Sequence, residues 1–374
     1  MHLQQLQLTN FRNYEMQKLE FCPRLNLIAG LNGMGKTNLL DAVYYLCMGK
    51  SHFTSTDRNV VRQGESFFRL EGQFVFDEKP RLPGGRKEKI TAKVQPGKQK
   101  VFEKNKSAYL RLSDHVGLLP VVFNSPDDTA LALEGSEARR RFLDNTLCQL
   151  DSQYLTHLVS YNRLLQKRNA LLKQFAEQRT FNAELLEVLG EQMAAPALFI
   201  FEKRKTFVDA FSPVFNRYHQ IICGGNESVD CQYRSQLLDN QFSELLKNAV
   251  EKDRILQRTT AGTHKDDLRF RMDGRPLKRF ASQGQLKSFV LALKLAQFDC
   301  LKNEKETMPI LLLDDLFDKL DVQRVEHLLE LLVKGDFGQV FITDTHPERS
   351  EEIAKHFGSD YEKFIIVHGS VGPK

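Results

Sequence analysis

Eight residues concentrate the chemistry of this 374-residue chain: Gly30-Leu31-Asn32-Gly33-Met34-Gly35-Lys36-Thr37. They read G-x-x-x-x-G-K-T. Glycines let a backbone turn its N–H groups toward a phosphate chain, a lysine reaches the terminal phosphates, and a threonine hydroxyl helps hold Mg²⁺. Gly30, Asn32, Gly33, Gly35, Lys36, Thr37 and Asn38 are therefore candidates to bind a nucleoside triphosphate. Thr37 doubles as a metal ligand, and Lys36 as a group that stabilises phosphoryl transfer. The chemistry requires a strand before the loop and a helix after it. Leu25 to Ala29 is a short apolar run suited to a buried strand, and Asn38 to Leu46 has helical spacing.

A second half-site is needed for the cation and the water. Ile310-Leu311-Leu312-Leu313-Asp314-Asp315 is an apolar strand ending in two carboxylates. In a P-loop fold the first, Asp314, stands beside the Mg²⁺ shell, and the second, Asp315, is placed to orient or deprotonate water. Ser282-Gln283-Gly284-Gln285 opens a predicted helix over 285–302. Ser282, Gly284 and Gln285 offer a hydroxyl, a close backbone approach and a positive helix end, a second phosphate-binding surface. One nucleotide already lies against the P-loop, so this surface makes most sense reaching a nucleotide held by another copy. The run resembles the signature motif of ABC-type ATPases, whose two heads clamp ATP between them. Asp321, in Asp318-Lys319-Leu320-Asp321, stands where such folds carry the D-loop. His346 stands where they carry the switch histidine, with a catalytic role.

The elements that hold these motifs divide the chain. Residues 1–110 read mainly β around the P-loop helix, with strands at Leu3 to Leu8, Phe67 to Phe76, Ile90 to Val94 and Lys100 to Phe102, punctuated by Pro80, Pro83-Gly84-Gly85 and Pro96-Gly97. Helical periodicity dominates 136–210 and 236–258. There Tyr154, Leu158, Tyr161, Leu165 and Leu172 form one core-facing stripe, and Pro213 and Cys223-Gly224-Gly225 mark loops. The α/β pattern resumes with a helix over Val322 to Leu332 and a strand over Gln339 to Thr343. The expected architecture is an α/β ABC-type P-loop ATPase head, lobe I from 1–120 and 259–374, with a mainly helical lobe II inserted at 121–258 and no long coiled coil.

Six scattered cysteines without a C-x-x-C pair argue against a zinc site or a disulfide framework and fit a reducing cytosol. Met1-His2-Leu3-Gln4-Gln5 lacks the pattern of a signal peptide, and the longest apolar run, Ala194 to Phe201, is far too short to cross a bilayer. The expectation is a cytoplasmic protein without a membrane partner. Net charge is only +5, but residues 81–106 hold nine Lys or Arg against Glu88 and Glu103, and residues 252–287 hold ten against four Asp. Each stretch is either a solvated surface or a contact to a nucleic-acid backbone.

The chain resembles the RecF family. The resemblance is carried by Leu8-Thr9-Asn10-Phe11-Arg12-Asn13-Tyr14, the P-loop, Gly49-Lys50-Ser51-His52, Arg139-Arg140-Arg141-Phe142-Leu143-Asp144, Gln166-Lys167-Arg168-Asn169-Ala170, Gly262-Thr263-His264-Lys265-Asp266-Asp267-Leu268, Ala281-Ser282-Gln283-Gly284-Gln285 and Leu313-Asp314-Asp315. It implies an SMC-like head that binds ATP with Mg²⁺, dimerises on it and closes on DNA at gaps or single/double-strand junctions. Arg12 and Asn13 join the nucleotide site by the same resemblance. RecO and RecR are the implied partners in loading RecA, with a nucleoid-associated location and slow, DNA-stimulated hydrolysis. Three departures from the family pattern stand out: Glu137 after Gly135-Ser136, Asp318-Lys319 in the D-loop, and Thr263 and Lys265 beside His264. Phe123-Asn124-Ser125-Pro126-Asp127 occupies the place of the Gln loop without a Gln. A transporter-type ATPase would lack the long insertion before the S-x-G-Q run and the basic stretches.

Overall fold

The computed structural model describes residues 1–76, 85–225, 227–305, 307–317, 320–346, 348–349, 355–358 and 360–372. Pro80, Arg81, Pro83, Gly84, Asp318 and Lys319 lie outside them. The chain packs as two units. Unit 1 comprises Met1–Thr129, Tyr218–Asn226 and Ser282–Lys374; unit 2 comprises Ala130–Arg217 and Glu227–Ala281. Sequence reading drew the divisions at 120 and 259. Packing draws them at 129 and 282, because the strand that follows residue 259 pairs inside unit 2.

Unit 1 carries two sheets. The first is antiparallel, in the order β2-β1-β4-β5-β6-β7: β1 (His2–Phe11), β2 (Tyr14–Glu20), β4 (Phe68–Phe76), β5 (Arg86–Val94), β6 (Val101–Lys104) and β7 (Ser107–Ala108). The second has the order β15-β14-β3-β13-β12-β8: β3 (Leu25–Ala29), β8 (Val121–Asn124), β12 (Ile310–Leu313), β13 (Val340–Asp344), β14 (Tyr361–Val367) and β15 (Ser370–Val371). All its pairings are parallel except β14 with β15. The three central strands read Leu-Asn-Leu-Ile-Ala, Ile-Leu-Leu-Leu and Val-Phe-Ile-Thr-Asp, and every residue in them is buried. Continuous apolar runs are what a parallel sheet covered on both faces demands.

Helix α1 (Lys36–Met48) is sandwiched in this core, with Leu39 to Met48 buried without a break. Its Tyr45 meets Phe68 edge to face at 5.2 Å, and Phe11 meets Phe68 at 5.3 Å. Helix α8 (Gln283–Glu304) is similarly enclosed, and α9 (Val322–Lys334) buries one stripe only.

Unit 2 holds α2 (Ala130–Leu133), α3 (Ser136–Leu150), α4 (Ser152–Gln178), most of α5 (Ala183–Cys223), α6 (Phe242–Leu256) and α7 (Leu277–Phe280). They accompany a three-stranded antiparallel sheet, β11-β10-β9, made of β9 (Val229–Arg234), β10 (Asp267–Met272) and β11 (Arg275–Pro276). Helix α4 starts on Asp151, whose carboxylate accepts the Gln153 and Tyr154 N–H groups. Its core face is Tyr154, Tyr161, Leu164, Arg168, Leu172 and Phe175, so Leu158 and Leu165 are only half-buried and an arginine is fully inside.

Pro213 corrects the sequence reading. It lies inside α5, as does Pro196, rather than in a loop. An interior proline costs a helix about 3 kcal/mol. Burial of Phe201, Val208, Phe211 and Phe215 around it offsets that cost. Gly224 and Gly225, both at positive φ, end the helix as expected. Among the described residues no helix is long and apolar enough to cross a membrane.

Candidate nucleotide site and basic surfaces

The P-loop leaves the C-terminal end of β3 and enters α1 through Gly33 (φ +79°) and Gly35 (φ +115°). A Cβ at Gly35 would sit 2.5 Å from Asn13 Nδ2. The turn between β1 and β2 braces the loop from behind. Asn13 Nδ2 donates to the Met34 carbonyl at 2.9 Å, the Tyr14 hydroxyl donates to the Gly35 carbonyl at 3.0 Å, and Asn38 Nδ2 donates to Asn13 Oδ1 at 2.8 Å. With the carbonyls so engaged, the backbone N–H groups of Asn32, Gly33 and Gly35 have no protein acceptor among the described residues. Lys36, nearly fully buried, donates to the carbonyls of Gly30 (2.8 Å) and Leu31 (3.1 Å), so its ammonium lies inside the cradle.

The carboxylate strand closes the site. Sheet order sets β13 between β3 and β12, and Thr343 near its end bridges them. Asp314 Oδ1 accepts from the Thr343 hydroxyl at 2.6 Å, and Oδ2 accepts from the Thr37 hydroxyl at 2.8 Å. Burial lifts the Asp314 carboxyl above its ordinary range, and the neighbouring Asp315 adds to this; the two hydroxyls act in the opposite direction. Two hard oxygen donors at this spacing fit a small divalent cation such as Mg²⁺, whose charge would favour the ionised carboxylate. Asp315 is half-buried with φ +44°, and its N–H donates to Thr343 Oγ1 at 2.8 Å.

His346 follows β13 and is largely exposed. Its N–H donates to Asp344 Oδ1 at 2.9 Å, and its Nδ1 lies 2.9 Å from the Thr345 hydroxyl. Arg349 donates to both Asp344 oxygens at 2.6 Å. Burial raises the Asp344 carboxyl, but these donors outweigh it and hold the group below its ordinary range.

Arg12 faces a different set of partners. Its guanidinium donates to Asp41 Oδ2 (3.0 Å), Ser51 Oγ (3.1 Å) and the Asn59 carbonyl (2.8 Å). Asp41, fully buried on α1, also takes the Ser51 hydroxyl and the His52 N–H. The segment after α1 is thereby tied to the β1–β2 turn that braces the P-loop.

Ser282 and Gln285 form a reciprocal cap on α8. Ser282 Oγ accepts the Gln285 N–H at 3.2 Å, and Gln285 Oε1 accepts the Ser282 N–H at 2.8 Å. The serine proton remains available for a further acceptor. Ser282 is exposed, and Gly284 beside it is partly so. Asp321 caps α9 by accepting the Arg324 N–H at 3.0 Å. These caps are a local reason for the residue types, separate from any trans contact. Sequence reading missed the Thr343 bridge, because a hydroxyl at a strand end carries no motif.

In unit 2 the family motifs are structural. Arg204, fully buried, donates to Asp144 Oδ1 and Asp266 Oδ2, both at 2.8 Å, and the Tyr233 hydroxyl donates to Asp266 at 2.6 Å. Arg139 forks onto Asp267 at 2.7 and 3.2 Å. Arg168 donates to Asp253 Oδ2 at 2.6 Å and to the Thr259 hydroxyl at 2.8 Å. His264 and Tyr161 pair at 2.8 Å.

The two basic stretches fare differently. On the β5–β6 hairpin, Arg86 and Lys104 meet Glu88, Lys89 meets Glu71, Lys93 meets Glu103 and Lys100 meets Asp57, all within 3.1 Å. Three of the second stretch's four acids, Asp253, Asp266 and Asp267, are taken by arginines of other segments, the first two in the interior. Arg269 and Arg271 alternate with buried Leu268, Phe270 and Met272 on β10, so both stand on its outer face. They, Lys278 and Arg279 are exposed without an ion pair among the described residues, and Arg275 lies 5.7 Å over the exposed Phe280 ring.

A family model described as RecF/RecN/SMC N terminal domain matches residues 2–363. The DNA replication and repair protein RecF of Flavobacterium johnsoniae is 44% identical over 98% of this chain and 100% of its own length. That of Porphyromonas gingivalis is 42% identical over 99% and 100%. A solved structure of the recombination mediator protein RecF with ATP in the RecFOR pathway superposes with a TM-score of 0.86 at 29% identity, covering 99% of this chain and 97% of that one. The Smc head domain from Pyrococcus furiosus shares the fold, at TM-score 0.55 and 16% identity. The fold is that of an ABC-type ATPase head with an inserted helical unit, and this chain belongs to the RecF family of DNA replication and repair proteins.

Proposed function

We propose that this protein binds ATP with Mg²⁺, pairs with a second copy across two nucleotides, and in that state holds DNA at gaps or single/double-strand junctions. The P-loop N–H groups and Lys36 take the phosphates. Thr37 and Asp314 hold the cation, which when bound offsets phosphate charge. Asp315 orients or deprotonates the attacking water, with His346 on the γ-phosphate side. Arg12, Asn13 and Asn38 belong to the nucleotide site as well and, from behind, also fix the loop. Ser282, Gly284, Gln285 and Asp321 serve the nucleotide of the other copy, where the spare serine proton and the α8 N-terminus face developing negative charge. The aspartate is one methylene shorter than the glutamate usual at that place, so slow hydrolysis that releases the DNA fits the chain.

The reading draws most support from one observation, the 2.8 Å closure of Thr37 on Asp314, which joins residues 277 positions apart into one oxygen-lined site. The RecFOR pathway of the solved relative supports RecO and RecR as partners, with assistance to RecA loading as the outcome. For DNA we assign the outer face of β10 with α7, whose cations make no ion pair among the described residues, ahead of the hairpin. Sedimentation of the purified protein with ATP, ADP or neither, with and without a gapped duplex, tests the core. A dimer that needs ATP and carries DNA is expected. A monomer with every nucleotide, or equal DNA binding without ATP, would discard the clamp.

A further inference from the structure

We propose that Lys287 is a positioning residue for hydrolysis, tying the backbone of Asp315 to the helix that carries Ser282-Gln283-Gly284-Gln285. The inference rests on the assignment of Asp315 as the water-directing carboxylate. Asp315 has φ +44°, left-handed backbone that costs a side-chain-bearing residue about 1 kcal/mol or more. Such a conformation persists when its surroundings over-determine it, and here two contacts do. Its N–H is held by Thr343 Oγ1 at 2.8 Å, and its carbonyl accepts from Lys287 Nζ at 2.8 Å. The Thr343 hydroxyl in turn donates a hydrogen bond to Asp314, so the threonine sets the two aspartates relative to each other. The lysine sets Asp315 relative to α8.

The placement of Lys287 gives that contact a function. It stands five residues after Ser282, about 7.5 Å along the helix at 1.5 Å per residue. Helix side chains lean toward the N-terminus, so its ammonium works near the capped end. From Ser288 to Phe298 the helix is buried without a break, so α8 shifts as a rigid body or not at all. The next residue, Ser288, accepts from Arg324 of α9 at 2.9 Å, and Asp321 caps that helix. Consecutive α8 residues therefore hold Asp315 just after β12 and Arg324 in the first turn of α9. When a partner's nucleotide seats the N-terminus of α8, the same movement sets Asp315 of the same copy. Hydrolysis at one site then depends on engagement at the other.

Lys287→Met keeps the stem and removes the donor. Expected are ATP affinity and ATP-dependent dimerisation within about twofold of wild type, unchanged KM and at least a tenfold lower kcat, with Lys287→Arg restoring most of it. The double variant with Asp315→Asn should turn over no more slowly than Asp315→Asn alone, because both act through one group. Normal kcat in Lys287→Met beside a slow Asp315→Asn overturns the positioning role. So does loss of dimerisation in both Lys287→Met and Lys287→Arg, which would make the residue an assembly contact. Wild-type turnover in Asp315→Asn instead overturns the base assignment on which the inference stands, and is read separately.

Discussion

At the scale of single residues, the two adjacent aspartates have different surroundings, and this separates their expected phenotypes. Asp314 is almost fully enclosed by two hydroxyls, whereas Asp315 is half-buried on strained backbone. Asp314→Asn replaces a hard anionic ligand with a neutral amide, so Mg²⁺-dependent ATP affinity should fall by tenfold or more. Asp315→Asn should leave affinity within about twofold while turnover nearly stops and an ATP-bound dimer accumulates. Isothermal titration with and without Mg²⁺, beside single-turnover hydrolysis, measures both. Equal loss of binding in the two variants would abolish the division of labour. Lys36→Ala should weaken binding by about 1.5–3 kcal/mol or more, the order of a charge-assisted hydrogen bond. The local motifs were legible because their residues are contiguous. The Thr343 bridge was not, since it depends on β13 lying between β3 and β12, and the reason for Asn13 was not, since it lies in a turn behind the loop.

At the scale of elements, unit 2 is held by polar groups that hydropathy assigns to the surface. Arg168 occupies a core position of α4, and Asp253 with the Thr259 hydroxyl makes that tolerable. Arg168→Leu should destabilise the protein by roughly 3–5 kcal/mol by leaving Asp253 buried and unpaired, whereas joint replacement of both partners by leucine should cost much less. Urea unfolding of the two variants distinguishes these outcomes.

His115, buried, and His264, half-buried, add a pH dependence. His115, in unit 1, lies 2.6 Å from the Leu46 carbonyl and 3.2 Å from the Tyr109 hydroxyl, and burial draws it down to about 4. His264 lies 3.0 Å from the Thr259 carbonyl and 2.8 Å from the Tyr161 hydroxyl, and burial likewise takes it to about 4. Both are neutral in the folded chain at neutral pH. Unfolding lets each bind a proton below about 6.5, so stability is full above that and falls as pH drops toward 4. Each histidine should contribute a loss of about 3 kcal/mol over that window, at 1.36 kcal/mol per pKa unit. The slope of stability against pH should flatten in His115→Gln; an unchanged slope would remove that histidine from the account. Helices and apolar strands were readable from period and run length. Strands β9 and β10 carry the period-two signal as well, apolar residues alternating with polar ones, and were passed over only because each is short and lies between helical stretches.

At the scale of the whole molecule, the fold decides which charges remain available. Composition ranked 81–106 beside 252–287 as nucleic-acid surfaces, and the fold separates them. On the hairpin, Glu71 and Asp57 arrive from other segments to join Glu88 and Glu103, so five cations are answered at close range. On the outer face of β10 and along α7, Arg269, Arg271, Lys278 and Arg279 are exposed without an ion pair among the described residues. Backbone binding by such groups releases counterions, and log affinity falls with log salt by about 0.9 per phosphate neutralised on duplex. Joint reversal of Arg269, Arg271, Lys278 and Arg279 to glutamate should weaken ATP-dependent DNA binding at least tenfold. It should flatten the salt slope by about 0.9 for each phosphate no longer neutralised, with ATP affinity unchanged. Reversal of Lys98, Lys100, Lys104 and Lys106 should act differently. It sets Lys100→Glu against Asp57 and Lys104→Glu against Glu88, so the thermal midpoint should fall while the salt slope moves little. Fluorescence anisotropy with a gapped duplex across a salt series, beside thermal melts of both variants, measures all four quantities. A flattened slope in the hairpin variant and a wild-type slope in the β10 variant would move the DNA to the antiparallel sheet of unit 1 and leave the exposed arginines of unit 2 as solvated surface.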